Sequence, residues 1–418
     1  MTEIVRCRIE GYKSDVQEIS LMSDQLSLVM TNGKLGPENI PDALTDLVNL
    51  AFVIHLIERM QDKFSGGNRA NHYRLNIRVN SDIFTDPKII DQIQNILLFM
   101  GGATWEICTE RGSVSILSEC NTSTNERRID QVALFSGGLD STCGLAIFSE
   151  SNAITQPVSF YTQQKTRQLQ IAVEGLNYSS LVQFTRRVNA DSGKGRRSYY
   201  RSFFFLTLAA LVAKSWGVTR VIQVENGVLA TAVSPGEAWY MTRHAHPRLH
   251  SECAKLFSDV CGGEWNIENP ALLLTKRELY QNAARQIGHD KIAQLAQLTE
   301  TCWFHRSPTI PGGEKDNNKA CGLCIPCIVR RTALQDTNYH YKSIDENVRN
   351  DERKGRSFRD YYGFLSEILD LGDNIAGFYN LLPEVSRELL YPEGQMALKD
   401  LHSLFVRFAK EYMETFRL

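Results

Sequence analysis

The pattern of apolar and polar positions changes character along the chain. Near the start, Val5, Cys7 and Ile9 alternate with Arg6, Arg8 and Glu10, the period of a strand with one buried face. Leu44, Leu47, Val48, Ala51 and Ile54 recur at helical spacing. Tyr73, Leu75, Ile77 and Val79 alternate with Arg74, Asn76 and Arg78, which predicts another strand. Residues 89–99 read as a helix, and 104–108 and 114–117 as closing strands. Together these predict a small α+β domain over residues 1–128, ended by the polar stretch 118–130.

From residue 129 the signal is that of an α/β domain. The short apolar run 132–135 is bounded by polar residues and then glycines, as a buried strand would be. Further strand candidates are 158–161, 181–185, 218–224 and 265–267, and 203–213 is apolar almost all round, which predicts a buried helix. Alternating strands and helices over 129–339 imply a doubly wound parallel sheet with ligands at the C-terminal strand ends. After the charged segment 343–356, Phe364, Leu365, Ile368, Leu369 and Ile375, then Leu398, Leu401, Leu404, Phe405, Phe408 and Tyr412, predict a helical region over 340–418.

Composition narrows the function classes. A chain of 418 residues suggests two to three domains. A net charge of −2 gives no bulk attraction to nucleic acid or acidic membranes, so neither is expected as a partner. Apolar residues at 43% and charged residues at 22% exclude a mostly disordered chain. No run of 18 apolar residues occurs, and residues 1–13 lack the features of a secretory signal. The expected location is therefore the cytoplasm, where a disulfide framework is not expected. Cys7, Cys108, Cys120, Cys143, Cys253 and Cys261 are scattered and read as small core residues.

Two segments carry chemistry. In the first, the strand ending at Phe135 runs through Ser136, Gly137, Gly138, Leu139, Asp140 and Ser141 into a helix that includes Thr142. Two glycines allow close backbone approach to an anion, and a helix start offers free N–H groups. Asp140 would repel a bare phosphate but suits a Mg²⁺ ion or the ordering of the loop. An ordinary strand–turn–helix with Asp140 as a cap is the bland alternative. Ser192–Gly195 lacks the spacing of a Walker A loop. In the second segment, Cys302, Cys321, Cys324 and Cys327 form C-x18-C-x2-C-x2-C, a set suited to a closed tetrahedral Zn²⁺ site. Gly322 and Pro326 favour a knuckle-like loop there, and an iron–sulfur cluster is the alternative.

The S-G-G-x-D-S segment after a buried strand resembles the signature of the PP-loop ATP pyrophosphatases. Followed by the cysteine pattern, it resembles the QueC family, the 7-cyano-7-deazaguanine synthases. Thr301-Cys302-Trp303 and CGLCIPCIVRR are similar to that family's cysteine segments, and Arg201 to Leu206 to its R-N-x-x-F-L helix start. Asn269 to Lys276 is similar to its P-L-x-x-x-T-K segment, and Tyr161 to Lys165 loosely to its Y-G-Q segment. The resemblance covers about half of the chain, from Val132 to Arg331. It implies a PP-loop (HUP-type) fold, cleavage of ATP to AMP and pyrophosphate, and adenylation of a carboxylate for attack by an amine. It also implies catalytic roles for Asp140, Lys276 and Arg201. ATP contacts would come from Phe135, Ser136, Gly137, Gly138, Asp140, Ser141, Thr142 and Lys165, with Arg330 a further basic candidate.

The chain departs from the family in ways that bear on its substrate. The family's Y-P-D-C-R motif is absent; Thr242 to Pro247 stands in its place, preceded by Val224 to Gly227. In this, and in its length, the chain resembles the long QueC-like proteins of the bacterial Qat and CBASS antiphage systems. The acid would be 7-carboxy-7-deazaguanine or a relative, and the amine ammonia or a group on a partner protein from the same operon. Glu225, Asn226, Arg243 and His246 are candidate substrate contacts, and His244, His246 and His250 also suggest a second metal. The rivals are another PP-loop enzyme, such as a tRNA thiolase, and a nucleotide-sensing subunit that binds ATP without turnover.

Overall fold

The computed structural model describes residues 3–11, 16–61, 70–114, 116–118, 120–123, 128–161, 176, 178, 180–188, 198–233, 242–299, 302–304, 319–335, 338–382, 387 and 396–417. Among them the strands are β1 (Glu3–Gly11), β2 (Val16–Met22), β3 (Leu26–Asn32), β4 (Ala70–Val79), β5 (Thr104–Arg111), β6 (Gln131–Leu134), β7 (Thr155–Tyr161), β8 (Val182–Val188), β9 (Arg220–Gln223) and β10 (Asn266–Glu268). The helices are α1 (Asp42–Met60), α2 (Pro87–Gly101), α3 (Leu139–Ser149), α4 (Arg201–Ser215), α5 (Gly227–Ala230), α6 (Pro247–Cys261), α7 (Lys276–Ile287), α8 (His289–Leu298), α9 (Ile325–Leu334), α10 (Glu346–Asn350), α11 (Arg356–Leu371), α12 (Ile375–Leu381) and α13 (Leu398–Phe416). The chain is α/β with a helical C-terminal part, and no helix among the described residues is long and apolar enough to cross a membrane.

The chain divides into two compact units, each assembled from separate segments. The first comprises Met1–Ser136, Ser151–Gln223 and Leu249–Glu268, and the second Gly137–Glu150, Val224–Arg248 and Asn269–Leu418. The sequence regions 1–128, 129–339 and 340–418 are thus distributed over two bodies.

The first unit holds both sheets. One runs β2-β1-β4-β5, with β1 antiparallel to β2 and β4, and β4 parallel to β5. The alternation seen in sequence is what it buries: Val5, Cys7 and Ile9 point inward while Arg6 and Arg8 are exposed. Tyr73 and Trp105, in register on β4 and β5, stack at 4.1 Å. The other sheet runs β10-β9-β6-β7-β8-β3, parallel throughout except for β3, which pairs antiparallel with β8. Helix α4 is buried nearly all round, as its unbroken apolar sequence requires, and Phe204 meets Phe52 of α1 at 5.3 Å. Burial of each such ring stabilises the fold by about 1.5–3 kcal/mol. Of the expected strand at 114–117, Val114 and Ile116 lie outside any strand and Leu117 forms an isolated bridge with Leu28. Strands β2 and β3 had no counterpart in the sequence reading.

The second unit is helical. Helix α13 buries Leu401, Leu404, Phe405, Phe408 and Tyr412 on one face, the spacing that predicted it. Tyr361 and Phe364 of α11 meet Phe408 and Phe405, each at 5.8 Å. Helix α3 packs on α7 and α8, and α7 packs on α9.

Candidate functional site

The Ser136–Ser141 loop takes the form that its glycines allow. Phe135 extends the β6–β7 ladder through a 2.8 Å bond from its N–H to the Val158 carbonyl. Gly137 then turns at φ 76°, a conformation costly for any residue with a Cβ. Gly138 is the N-cap of α3 and has no side chain to accept the first N–H groups, while its carbonyl accepts from Ser141 Oγ and Thr142 Oγ1 at 3.0 and 2.9 Å. These two hydroxyls therefore brace the helix start in this state.

Asp140 lies in the first turn of α3 and is 6% exposed. Its Oδ2 accepts from Lys276 Nζ in a buried ion pair and from Asn226 Nδ2 at 3.3 Å. Lys276 is 1% exposed. Burial alone would push the Asp140 carboxyl up, but the Lys276 charge and the hydrogen bonds outweigh it and hold it below the usual range. Oδ1 is buried and accepts no hydrogen bond. Three residues singled out in sequence, Asp140, Lys276 and Asn226, thus come together within the second unit. Glu225 joins them, accepting from Asn226 Nδ2 at 3.1 Å. Asn226 Oδ1 also accepts from the Leu229 N–H at 3.3 Å, capping α5.

Local sequence explains how Lys276 is aimed. Thr275 caps α7 in a reciprocal box with Glu278, at 3.1 Å and 2.9 Å, which makes Lys276 the first helical residue. Thr275 Oγ1 donates in turn to Glu411 Oε1 of α13 at 2.7 Å. Arg407, also of α13, donates to Glu278 at 2.7 Å and to the Leu273 carbonyl at 2.6 Å. Arg277 reaches the Thr332 carbonyl at 2.6 Å and pairs with Glu414. The C-terminal helix therefore clamps the segment that carries Lys276. Sequence reasoning missed this, because it used only the apolar spacing of the helix and nothing local ties Glu411 or Arg407 to Thr275 or Glu278.

The other candidates have contacts of their own. Arg201 is the first residue of α4 in the first unit, its guanidinium 5.8 Å from the Phe205 ring. His246 is buried and its Nδ1 accepts from the Arg248 N–H at 3.2 Å, bracing the start of α6. Arg243 is half-buried just before that turn. His250 binds Gln223 at 3.0 Å. Arg330 closes the end of α8 through Thr299 Oγ1 at 2.5 Å and the Ala296 carbonyl at 2.7 Å. Lys165 and Thr301 lie outside the described residues.

The four cysteines form a second centre in the same unit. Their Sγ atoms all lie within 4.8 Å of one another, with Cys321–Cys327 at 4.0 Å and Cys302–Cys324 at 3.9 Å. These spacings exclude disulfides. Among the described residues this is the one group of three or more ligand side chains placed to hold a metal, so the three histidines do not form another. Backbone N–H groups aim at the sulfurs: Phe304 and Cys321 at Cys302 (3.3 and 3.2 Å), and Leu323 and Cys324 at Cys321 (both 3.3 Å). The cysteine triple is part loop and part helix. Gly322 turns at φ 83°, where a Cβ would come within 2.5 Å of Arg331 Nη2, while Cys324 caps α9 and Cys327 lies in its first turn. Arg331 Nε holds the Gly322 carbonyl at 3.1 Å and its guanidinium lies 4.2 Å from the Tyr339 ring. Burial pushes the Cys324 and Cys327 thiols well up. Full ionisation of the set therefore needs a bound cation.

Compared with models of known protein families, the chain matches none. Compared with curated proteins, it likewise has no match.

Proposed function

We propose that the protein is an ATP-cleaving ligase of the PP-loop type, similar to the QueC family. It would adenylate a carboxylate, 7-carboxy-7-deazaguanine or a related acid, for attack by ammonia or by an amine on a partner protein, in bacterial antiphage defence. One observation carries the reading. Two motif residues 136 positions apart, Asp140 of the glycine loop and Lys276 of the Asn269–Lys276 segment, meet in one buried ion pair beside Asn226.

In this reading the sheet is the doubly wound PP-loop sheet, and the turn at Gly137 with the N–H groups at the start of α3 receives the nucleotide phosphates. Lys276, held by Asp140, supplies a fixed positive charge for the departing pyrophosphate. Asp140 Oδ1, buried without a hydrogen bond, suits a cation, so Mg²⁺ accompanying the nucleotide would be held there; when bound it neutralises phosphate charge. The bond between the α-phosphorus and the bridging oxygen breaks while a carboxylate oxygen bonds the phosphorus. The amine nitrogen then attacks the acyl carbon and AMP leaves.

The four cysteines are read as a structural zinc site. A tetrahedron with Zn–S bonds of about 2.3 Å has edges of ~3.8 Å, close to the observed 3.9 and 4.0 Å. A four-iron cluster places each thiolate on a different iron and needs wider spacing.

The test is product analysis after incubation with Mg-ATP and the acid, with and without an amine donor. Acid-dependent AMP and pyrophosphate, lost in Asp140→Ala, are expected; ADP and phosphate would overturn the reading. The burial of Asp140 favours one other reading, an ATP sensor. Nucleotide binding with no AMP under any acid would select it.

A further inference from the structure

Consecutive residues at the start of α7 are held by three different parts of the second unit. Thr275 is tied to Glu411 of α13, Lys276 to Asp140 of α3, and Arg277 to the end of α9. Arg277 belongs to none of the motifs that suggested ATP chemistry. Its side chain is 14% exposed, and Nε donates to the Thr332 carbonyl at 2.6 Å. Thr332 lies in the last turn of α9, where a carbonyl finds no N–H four residues on within the helix. Nη2 donates to Thr415 Oγ1 at 2.9 Å and to the Glu411 carbonyl at 3.4 Å, and Nη1 pairs with Glu414, all in the last two turns of α13. The guanidinium thus closes the C-terminal ends of two helices, where their dipoles favour a positive charge. That setting offsets its unfavourable place in the first turn of α7.

Helix α9 is also the helix of the cysteine cluster. Cys324 caps it and Cys327 lies in its first turn. Its last turn reaches back to the same loop, for Arg331 donates to the Gly322 carbonyl at 3.1 Å and to the Lys342 carbonyl at 3.0 Å. A metal ion held by the four thiolates would therefore fix α9 at its start directly and at its end through Gly322 and Arg331. The Thr332 carbonyl is fixed with it, and the hydrogen bond from Arg277 carries the constraint across to α7, one residue from Lys276.

We propose that Arg277 is a positioning residue that couples the metal at the four cysteines to the placement of Lys276 against Asp140. Metal binding orders α9, the Thr332 carbonyl then holds Arg277, and the first turn of α7 presents Lys276 in one direction. The coupling itself stands on these contacts; its consequence for catalysis rests on the proposed ATP cleavage. A chain of contacts becomes a coupling only when both ends respond to it, so the test perturbs one end and reads the other.

Hydrogen exchange is followed in the full-length protein, zinc-loaded and chelator-stripped, over peptides spanning residues 274–287. The reporters are the Glu278 and Leu279 N–H groups, which bond Thr275 Oγ1 at 3.1 Å and the Thr275 carbonyl at 3.0 Å. In wild type, stripping should speed their exchange about tenfold, the loss of one hydrogen bond to a charged group. In Arg277→Met the exchange should already be about tenfold faster with zinc bound, and stripping should add little. Arg277→Lys, which keeps one donor group, should fall between. Residues 319–334 should lose protection on stripping in all three proteins, which shows that the metal has left. A merely structural arginine would give equal increments on stripping in wild type and Arg277→Met, and that result overturns the proposal. So does wild-type protection at Glu278 and Leu279 that is indifferent to zinc, or a chain that binds no zinc. If Arg277→Met does not fold, Arg277→Lys decides: an increment smaller than that of wild type supports the coupling and an equal one overturns it. AMP formation is measured alongside. Arg277→Met should lower kcat about tenfold with little change in the KM for ATP, because Lys276 acts on charge that develops as pyrophosphate leaves. Should wild type form no AMP while the exchange result holds, the ATP reading fails and the coupling stands.

Discussion

The two units solve the problem of a stable interior differently. The first is organised by sheets and by apolar helices; α4 hides nearly every side chain, and α1 is buried along most of its length. The second is threaded with buried polar ties: Asp140 to Lys276, Thr275 to Glu411, Arg330 to Thr299, Arg331 to Gly322, and four sulfurs in one cluster. Apolar packing is indifferent to pH and metal, whereas ionic and thiolate ties depend on both. The order of the apolar helices α1 and α4 should therefore depend little on pH and metal, whereas that of the second unit should follow the chemistry of its surroundings.

The sharpest way to break this comparison is to remove the metal. Chelation, or Cys324→Ser, should unfold the cysteine loop and α9, because a closed zinc–thiolate site contributes on the order of 10 kcal/mol to a small fold. Hydrogen exchange read by mass spectrometry should show lost protection for residues 319–334 and unchanged protection for α1 and α4. Equal loss in both units would refute the distinction, and metal analysis finding iron instead of zinc would refute the assignment of the site.

A smaller effect is expected at the ion pair. Lys276→Met leaves the Asp140 carboxylate buried and uncompensated, which costs about 3–5 kcal/mol. The same change removes the charge that holds Asp140 down, so burial then raises its pKa. The defect should consequently shrink as pH falls and Asp140 takes a proton. A defect equal at pH 5 and pH 8 would show that Lys276 acts only by packing. In the first unit Leu211→Ala, at a fully buried position of α4, should cost about 3 kcal/mol at every pH, the ordinary price of a core cavity. Chemical denaturation at pH 5, 6, 7 and 8 checks both.

How much was readable in sequence follows from the range of the interactions. Periodicity located α1, α4, α13 and the strands β1 and β4, because each carries many repeats of one signal. It missed β3, whose partner β8 lies more than 150 residues away; Leu26 and Leu28 are buried through that pairing and their local alternation is short. It misjudged 114–117, where apolar residues alternate but, among the described residues, Leu117 forms an isolated bridge in place of a strand. The loop at Gly137 and the cysteine cluster were legible because their chemistry fixes residue type and spacing. The position of Lys276 beside Asp140 was suggested only by resemblance. The clamp from α13 was not legible at all: a glutamate next to Tyr412 on a helix looks solvated until Thr275, 136 residues earlier, is placed against it.

The smallest expected effect tests that clamp. Glu411 is buried, its Oε1 accepts a hydrogen bond from the Thr275 hydroxyl, and its Oε2 has no hydrogen-bond partner. Burial raises its pKa to about 7 from an ordinary 4.5; Thr275, Arg277 and Arg407 pull it down and Glu278 pushes it up, without reversing the shift. Between these two values the folded chain binds more protons at this site than the unfolded chain. Stability must therefore fall as pH rises from 4.5 through 7, by an amount on the order of 2–3 kcal/mol, and then level off. Glu411→Gln keeps an acceptor for Thr275 but cannot ionise. It should remove this slope and be the more stable form above pH 7, with the gain seen by probes in α7 and α13. If the slope persists in Glu411→Gln, the titrating group lies elsewhere. Should it vanish together with the Thr275–Glu278 cap, read as lost exchange protection at the Glu278 N–H, the clamp orders Lys276 through the shape of the helix start and not through charge.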